Sequence, residues 1–211
     1  MNGTKEQILL TALELFSQRG FDAVSVSDIA GKLGITKGAL YRHYTSKQDI
    51  FEKILARMYR IDAQRAQQFR LPEKLFADSP ESYCQVCWDS IAGFTIAQFH
   101  FWTEDSFAAS FRRMLTIEQF RTPELAALYT GRFVNRMTDY HRKLFHRLIA
   151  SGVLIDADPA LLSLAYVSPI LVLLGICDRQ PELEESCIEK LRAHVRLFYH
   201  TYNRKKREEN P

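Results

Sequence analysis

Glycine and proline are scarce in this chain, 9 and 7 of 211 residues, which excludes a collagen-like or low-complexity polymer. Its four cysteines are too few to staple a disulfide scaffold, so the core has to come from apolar packing. Charge of one sign is not in excess either. The 28 Lys and Arg meet 25 Asp and Glu, a formal +3, which is too little for a protein that grips polyanions with its whole surface. The opening MNGTKEQILL lacks the basic-then-apolar layout of a secretory signal, so a cytoplasmic location with reduced thiols is the expectation. Long apolar runs are absent except from Ala160 to Cys177, where Ser163, Ser168 and Pro169 dilute the run. A helix apolar all round also suits burial between two protein surfaces, so no membrane partner is expected.

Alternation of apolar and polar residues does not recur, whereas apolar positions three and four apart do, and the pattern predicts an all-α fold of about nine helices. Leu9, Ala12, Leu13 and Phe16 form one face of a first helix, opened by a Thr4 capping box and closed at Gly20. A second begins with Ser25 as cap and Asp28 returning the hydrogen bond, and stops at Gly34. Thr36 immediately caps a third. Only Gly34-Ile35-Thr36 separates the two, which makes a steeply crossed helix-turn-helix over residues 1–47. A Ser46/Asp49 capping box starts a long fourth helix. Residues 48–211 then form the second domain, with later helix starts at Ser79-Pro80, Thr122-Pro123, Asp158-Pro159 and Gln180-Pro181.

The chemistry concentrates on the third helix. Lys37 and Lys47 sit in first turns, where the helix dipole disfavours cations, and a bound phosphate would remove that conflict. Gly38 is unfavourable inside a helix but lets a phosphate or sugar approach the backbone, and Ala39 leaves room for base edges. Tyr41, Arg42 and His43 add donors for bases or phosphates. Tyr44 has two readings, a DNA contact or a core aromatic beside a cap.

Residues 4–60, above all DIAGKLGITKGALYRHYTSKQDIF, resemble the DNA-binding domain of the TetR (TetR/AcrR) family of transcriptional regulators. The resemblance implies a repressor-like homodimer on a palindromic double-stranded DNA operator, with a divergent C-terminal half that takes a small-molecule effector. It places Ser25, Thr36, Lys37, Gly38, Ala39, Tyr41, Arg42, His43, Tyr44 and Lys47 at DNA-contact positions. Arg42 stands where the family varies, so operator sequence does not carry over.

In the C-terminal half the last two helices are apolar enough to form a dimer interface, with Leu173 and Leu191 among its expected residues. The opposing reading is that both helices belong to the monomer's core. Between residues 88 and 133 runs an aromatic block: Trp88, Phe94, Phe99, Phe101, Trp102, Phe107, Phe111, Tyr129 and Phe133. Trp88, Trp102 and Phe133, with the polar groups His100, Glu104 and Arg136, are the candidate effector contacts if the block lines a cavity, and the other reading is that the block is a packed core. Cys84-x-x-Cys87 lies inside a helical stretch with no second pair at zinc-ribbon spacing. Glu118, Asp139, His141 and His146 make no nucleophile–base pattern, and there is no phosphate-binding glycine loop. The sequence assigns no metal ligands, no cofactor and no enzymatic role. A helical ligand-binding protein without DNA binding, or a helical enzyme using an aromatic cavity, are the alternatives.

Overall fold

The computed structural model describes residues 3–68 and 83–204. Its helices are α1 (Thr4–Arg19), α2 (Val26–Leu33), α3 (Lys37–Tyr41), α4 (Lys47–Gln68), α5 (Tyr83–Glu104), α6 (Ser106–Glu118), α7 (Pro123–Tyr129), α8 (Arg136–Ala150), α9 (Pro159–Arg179) and α10 (Glu184–Tyr202). A π-helical turn, Thr130–Asn135, joins α7 to α8 without a break. Counted with α7 and α8 as one, these are nine helices among the described residues, and the all-α expectation holds.

The punctuation residues explain most of the boundaries. Ser25 and Asp28 exchange both hydrogen bonds of a capping box at α2, and Gly34 closes that helix at φ 66°, a conformation that disfavours any side chain. Thr36 accepts from the Ala39 amide to open α3. Asp158 caps α9, with Pro159 in its first turn. Three starts differ in detail. Thr4 is the first residue of α1, whose N-cap is Gly3 with no side-chain bond, because Thr4 is already helical. Ser46 Oγ does accept from the Asp49 amide, but the Asp49 carboxylate takes the Thr45 amide rather than that of Ser46. After Gln180 the chain first makes a short 3-10 turn, Pro181–Leu183, so α10 begins three residues later than its proline suggests. The start at Ser79-Pro80 lies outside the described residues.

The chain divides into two compact units, residues 1–70 with 105–127, and residues 71–104 with 128–211. In the first, α1 packs on α2, α4 and α6. Its buried side chains include Ile8, Leu13, Phe16, Ile29, Leu40, Ile50, Ile54 and Met58, with Phe107, Phe111 and Met114 from α6. Phe107 and Phe111 therefore fill the core of the N-terminal unit.

One buried carboxylate ties α6 to the α1–α2 corner. Glu118, 3% exposed, accepts the Phe21 amide at 2.6 Å and pairs with Arg121 Nε at 2.6 Å. The Arg121 guanidinium lies 4.5 Å from the Phe21 ring and reaches Asp22 at 3.2 Å. Gly20, at φ 79°, is required here. A Cβ would meet Glu118 Oε1 and Ile117 Cγ2, each at 3.2 Å.

The second unit is built on stacked rings. Tyr166, fully buried, meets Trp88, Phe145 and Phe198 edge-on, and Trp88 stacks on Phe198 and Tyr199. Thr95 donates its one proton to the Ile91 carbonyl at 2.9 Å, so the Tyr166 hydroxyl donates to Thr95 at 2.8 Å. His141 packs 4.8 Å from the Tyr166 ring and donates from Nδ1 to the Met137 carbonyl at 2.8 Å. Cys177 and Cys187 are buried free thiols; the side chains of Cys84 and Cys87 lie outside the described residues.

Two outcomes follow from these cores. Glu118→Ala strands the buried Phe21 amide and leaves Arg121 without its buried partner, and is expected to destabilise the first unit by about 2–4 kcal/mol in urea unfolding. Burial pushes the His141 imidazole down to about 4. The unfolded chain binds that proton below about 6.5 and the folded chain does not until about 4. His141 therefore lowers stability as pH falls through that window. Wild type should lose about 2 kcal/mol between pH 7 and pH 5 that His141→Phe, which keeps a ring in place, does not lose.

Candidate nucleic-acid interface and effector region

From Ile29 to Gln48 the sequence holds no acidic residue but four cations, Lys32, Lys37, Arg42 and Lys47. The fold sorts them. Lys32 is spent on Glu14 at 2.7 Å. Lys47, half-buried, donates from Nζ to the Phe21 and Val24 carbonyls at 2.7 and 2.8 Å and lies 4.1 Å from the Phe21 ring. Two of its three protons hold the loop before α2, and one is left for an outside acceptor. Lys37 and Arg42 are exposed and form no ion pair among the described residues.

Around these two cations the surface is polar and open. Tyr41 is 51% exposed, and Thr36, Gly38 and His43 are exposed as well, with Ala39 half-buried among them. A Cβ on Gly38 would meet only Thr36 Oγ1 at 3.8 Å, so the packing of the protein itself does not require glycine there. Ser25 is exposed, but its hydroxyl is engaged with Asp28 in both directions. Those hydrogen bonds hold the Asp28 carboxyl below its usual range.

Tyr44 takes the other of its two readings. It is 3% exposed, and its hydroxyl donates to the Lys5 carbonyl at 3.0 Å, so its ring seals the end of α3 against α1. Burial raises its pKa. Beside it the Arg57 guanidinium pairs with Glu6. The short α3 is thus anchored at its start by Thr36 and just past its end by Tyr44, leaving Lys37, Tyr41, Arg42 and His43 on a rigid, outward face.

In the second unit the effector candidates fall into separate groups. Trp88 is 4% exposed and committed to the ring stack described above. Trp102 and Phe133 meet edge-on at 5.1 Å, and Tyr129 joins Phe133 at 5.3 Å. His100 and Glu104, one turn apart on α5, are joined at 2.5 Å. Arg136 is exposed at the first residue of α8. A carboxylate that the sequence does not point to, Glu184, lies beside His100 and Glu104, about eighty residues along the chain.

α9 is apolar on two sides for two reasons. Leu162, Tyr166, Val167, Ile170, Leu173 and Leu174 face the unit's core, and Leu191 on α10 does too. Leu173 and Leu191 are therefore core residues rather than surface residues, because the helical phase turns them inward. Leu161, Leu164, Ala165, Ser168 and Val172 form the opposite, exposed stripe, and Leu197 is exposed on α10. α9 is long and apolar enough to cross a membrane by length and composition, with 44% of its most apolar window buried in the unit.

The model of the tetR family of bacterial regulatory proteins matches residues 8–54. The HTH-type transcriptional regulator AcrR of Shigella flexneri is 45% identical over 51 residues, 24% of each protein, and the match spans between 17% and 26% of the curated relatives' length. Likeness in structure is wider. NalD, the secondary repressor of the MexAB-OprM multidrug efflux pump in Pseudomonas aeruginosa, is 26% identical, covers 95% of this chain and 96% of its own, and superposes with a TM-score of 0.59. SmeT of Stenotrophomonas maltophilia, in its triclosan complex, shares the fold at TM-score 0.65 over 96% of this chain and 93% of its own, with 19% identity. Residues 8–54, which carry the helix-turn-helix with its outward cationic face, are thus similar to the DNA-binding part of the tetR family of bacterial regulatory proteins.

Proposed function

We propose that this protein is a ligand-responsive transcriptional repressor of the cytoplasm that binds a palindromic operator as a homodimer. The observation that carries the reading is the outward face of α3, where Lys37 and Arg42 have no ion-pair partner among the described residues and Tyr41 and His43 stand exposed on a helix clamped at both ends. Phosphates take Lys37 and the Thr36 hydroxyl, while Tyr41, Arg42 and His43 face base edges or phosphates across the small residues Gly38 and Ala39. Ser25 and Lys47 flank that surface. Tyr44 supports it from within.

The exposed apolar stripe of α9, with Leu197 of α10, is the surface that a second copy covers, since a contiguous apolar face left in water favours association. In such a dimer the two α3 helices are expected to enter successive major grooves, about 34–36 Å apart. The effector is an apolar or amphipathic compound that meets Trp102, Phe133 and Tyr129, with His100, Glu104 and Arg136 as polar anchors and Trp88 shaping the core behind them. SmeT, which shares the fold, forms a complex with the small molecule triclosan, which supports a small-molecule effector. NalD and SmeT carry the name of repressor, which favours repression as the sign. An effector that loosens operator binding tenfold must prefer the DNA-free form by about 1.4 kcal/mol.

Lys37→Ala and Tyr41→Ala should each weaken binding to the protein's own upstream DNA in mobility-shift titrations while leaving thermal unfolding unchanged. Lys37→Ala should also lower the slope of log affinity against log salt by about one per protomer. Gly38→Ala is the sharper discriminator. It should leave stability unchanged or raise it by up to about 1 kcal/mol, yet weaken the complex. Equal affinity and slope in all three variants would contradict the assignment of α3.

A further inference from the structure

The joint between the C-terminal end of α5 and the first residue of α10 brings three potential metal ligands together. His100 and Glu104 lie on one face of α5, with His100 Nδ1 and Glu104 Oε1 2.5 Å apart. Glu184 adds a carboxylate from α10, and one donor atom from each of the three residues lies within 4.8 Å of the other two. The cluster also carries an orphan. Glu184 is half-buried, yet its Oε1 is shut off from solvent and has no hydrogen-bond partner among the described residues. A carboxylate oxygen stripped of water and given no donor is held at a disadvantage, which a cation at that point removes.

We propose that His100, Glu104 and Glu184 bind one divalent transition-metal ion of the zinc class. Two carboxylates and a neutral imidazole balance the charge of a dication, and one nitrogen with two oxygens suits zinc, cobalt or nickel better than magnesium or calcium, which prefer all-oxygen shells. Bond lengths of 2.0–2.2 Å place ligand atoms about 3.4 Å apart in a tetrahedral site. Reaching that spacing opens the 2.5 Å His100–Glu104 pair and brings in any ligand atom as far off as 4.8 Å, and Glu104, with 60% of its side chain exposed, has room to rotate. Three protein ligands leave a coordination position open to water or to an oxygen donor on an effector. The ion would also clamp the end of α5 to the start of α10. This site does not rest on the DNA-binding reading, because metal binding is measured directly on the free protein.

Titration of the full, reduced chain with cobalt(II), followed by its visible absorption and by calorimetry, tests the site. One equivalent should bind, with a d–d spectrum of low coordination number and no thiolate charge-transfer band. Glu184→Gln and His100→Gln should each weaken binding at least tenfold with the helical circular dichroism intact. His146→Ala on the exposed face of α8, and the double variant Cys84→Ser with Cys87→Ser, should bind like wild type. Affinity unchanged in both site variants, or lost in the cysteine variant instead, would overturn the proposal, as would magnesium binding as tightly as cobalt.

Discussion

The geometry of the N-terminal unit depends on one buried carboxylate. Glu118 arrives from α6, 97 residues beyond Phe21, and accepts the amide of that residue inside the corner between α1 and α2. Arg121 neutralises it and covers the Phe21 ring, while Lys47 reaches in from α4 to take the Phe21 and Val24 carbonyls. The loop from Gly20 to Val24 therefore has its polar backbone groups held by α4 and α6, and the same loop decides where α2 starts. Since α2 and α3 share a three-residue corner, fixing that loop fixes the outward face of α3. A weak point is built in as well: the carboxylate is stable in this place only while both of its partners remain.

Local hydrogen-bond chemistry made the helix-turn-helix legible from sequence. Ser25, Asp28, Gly34 and Thr36 act on residues three or four positions away, so their roles depend on nothing distant. The Lys47 clamp could not be read this way, because its acceptors are carbonyls more than twenty residues upstream and carry no sequence signal. For the same reason the membership of α6 in the N-terminal unit was hidden. Phe107 and Phe111 look like part of the aromatic run that follows Trp88, and only the packing of α6 on α1 separates them from it.

In the second unit, composition announced an unusual helix and could not resolve its two faces. A side chain's apolarity is the same whether it meets the monomer's own core or stands uncovered, so Leu173 and Val172 were equivalent on the page and opposite in the structure, 7% and 62% exposed. His100 and Glu104 were visible as a polar pair one turn apart. Glu184 was not, since α5 and α10 meet only through the tertiary fold. The candidate site thus divides by range: contacts made within a turn were readable, and those made across the unit were not.

The proposed function turns on α3 reading DNA from a two-fold dimer joined through α9. Footprinting of wild type and Val172→Arg on the protein's own upstream DNA tests it most directly. The account predicts that wild type protects a near-palindromic site whose half-sites are centred about one helical turn, or a whole number of turns, apart. It predicts that Val172→Arg, folded but monomeric by sedimentation, loses that protection at the same concentration. Protection without two-fold symmetry, or an identical footprint from a monomeric Val172→Arg, would contradict the account.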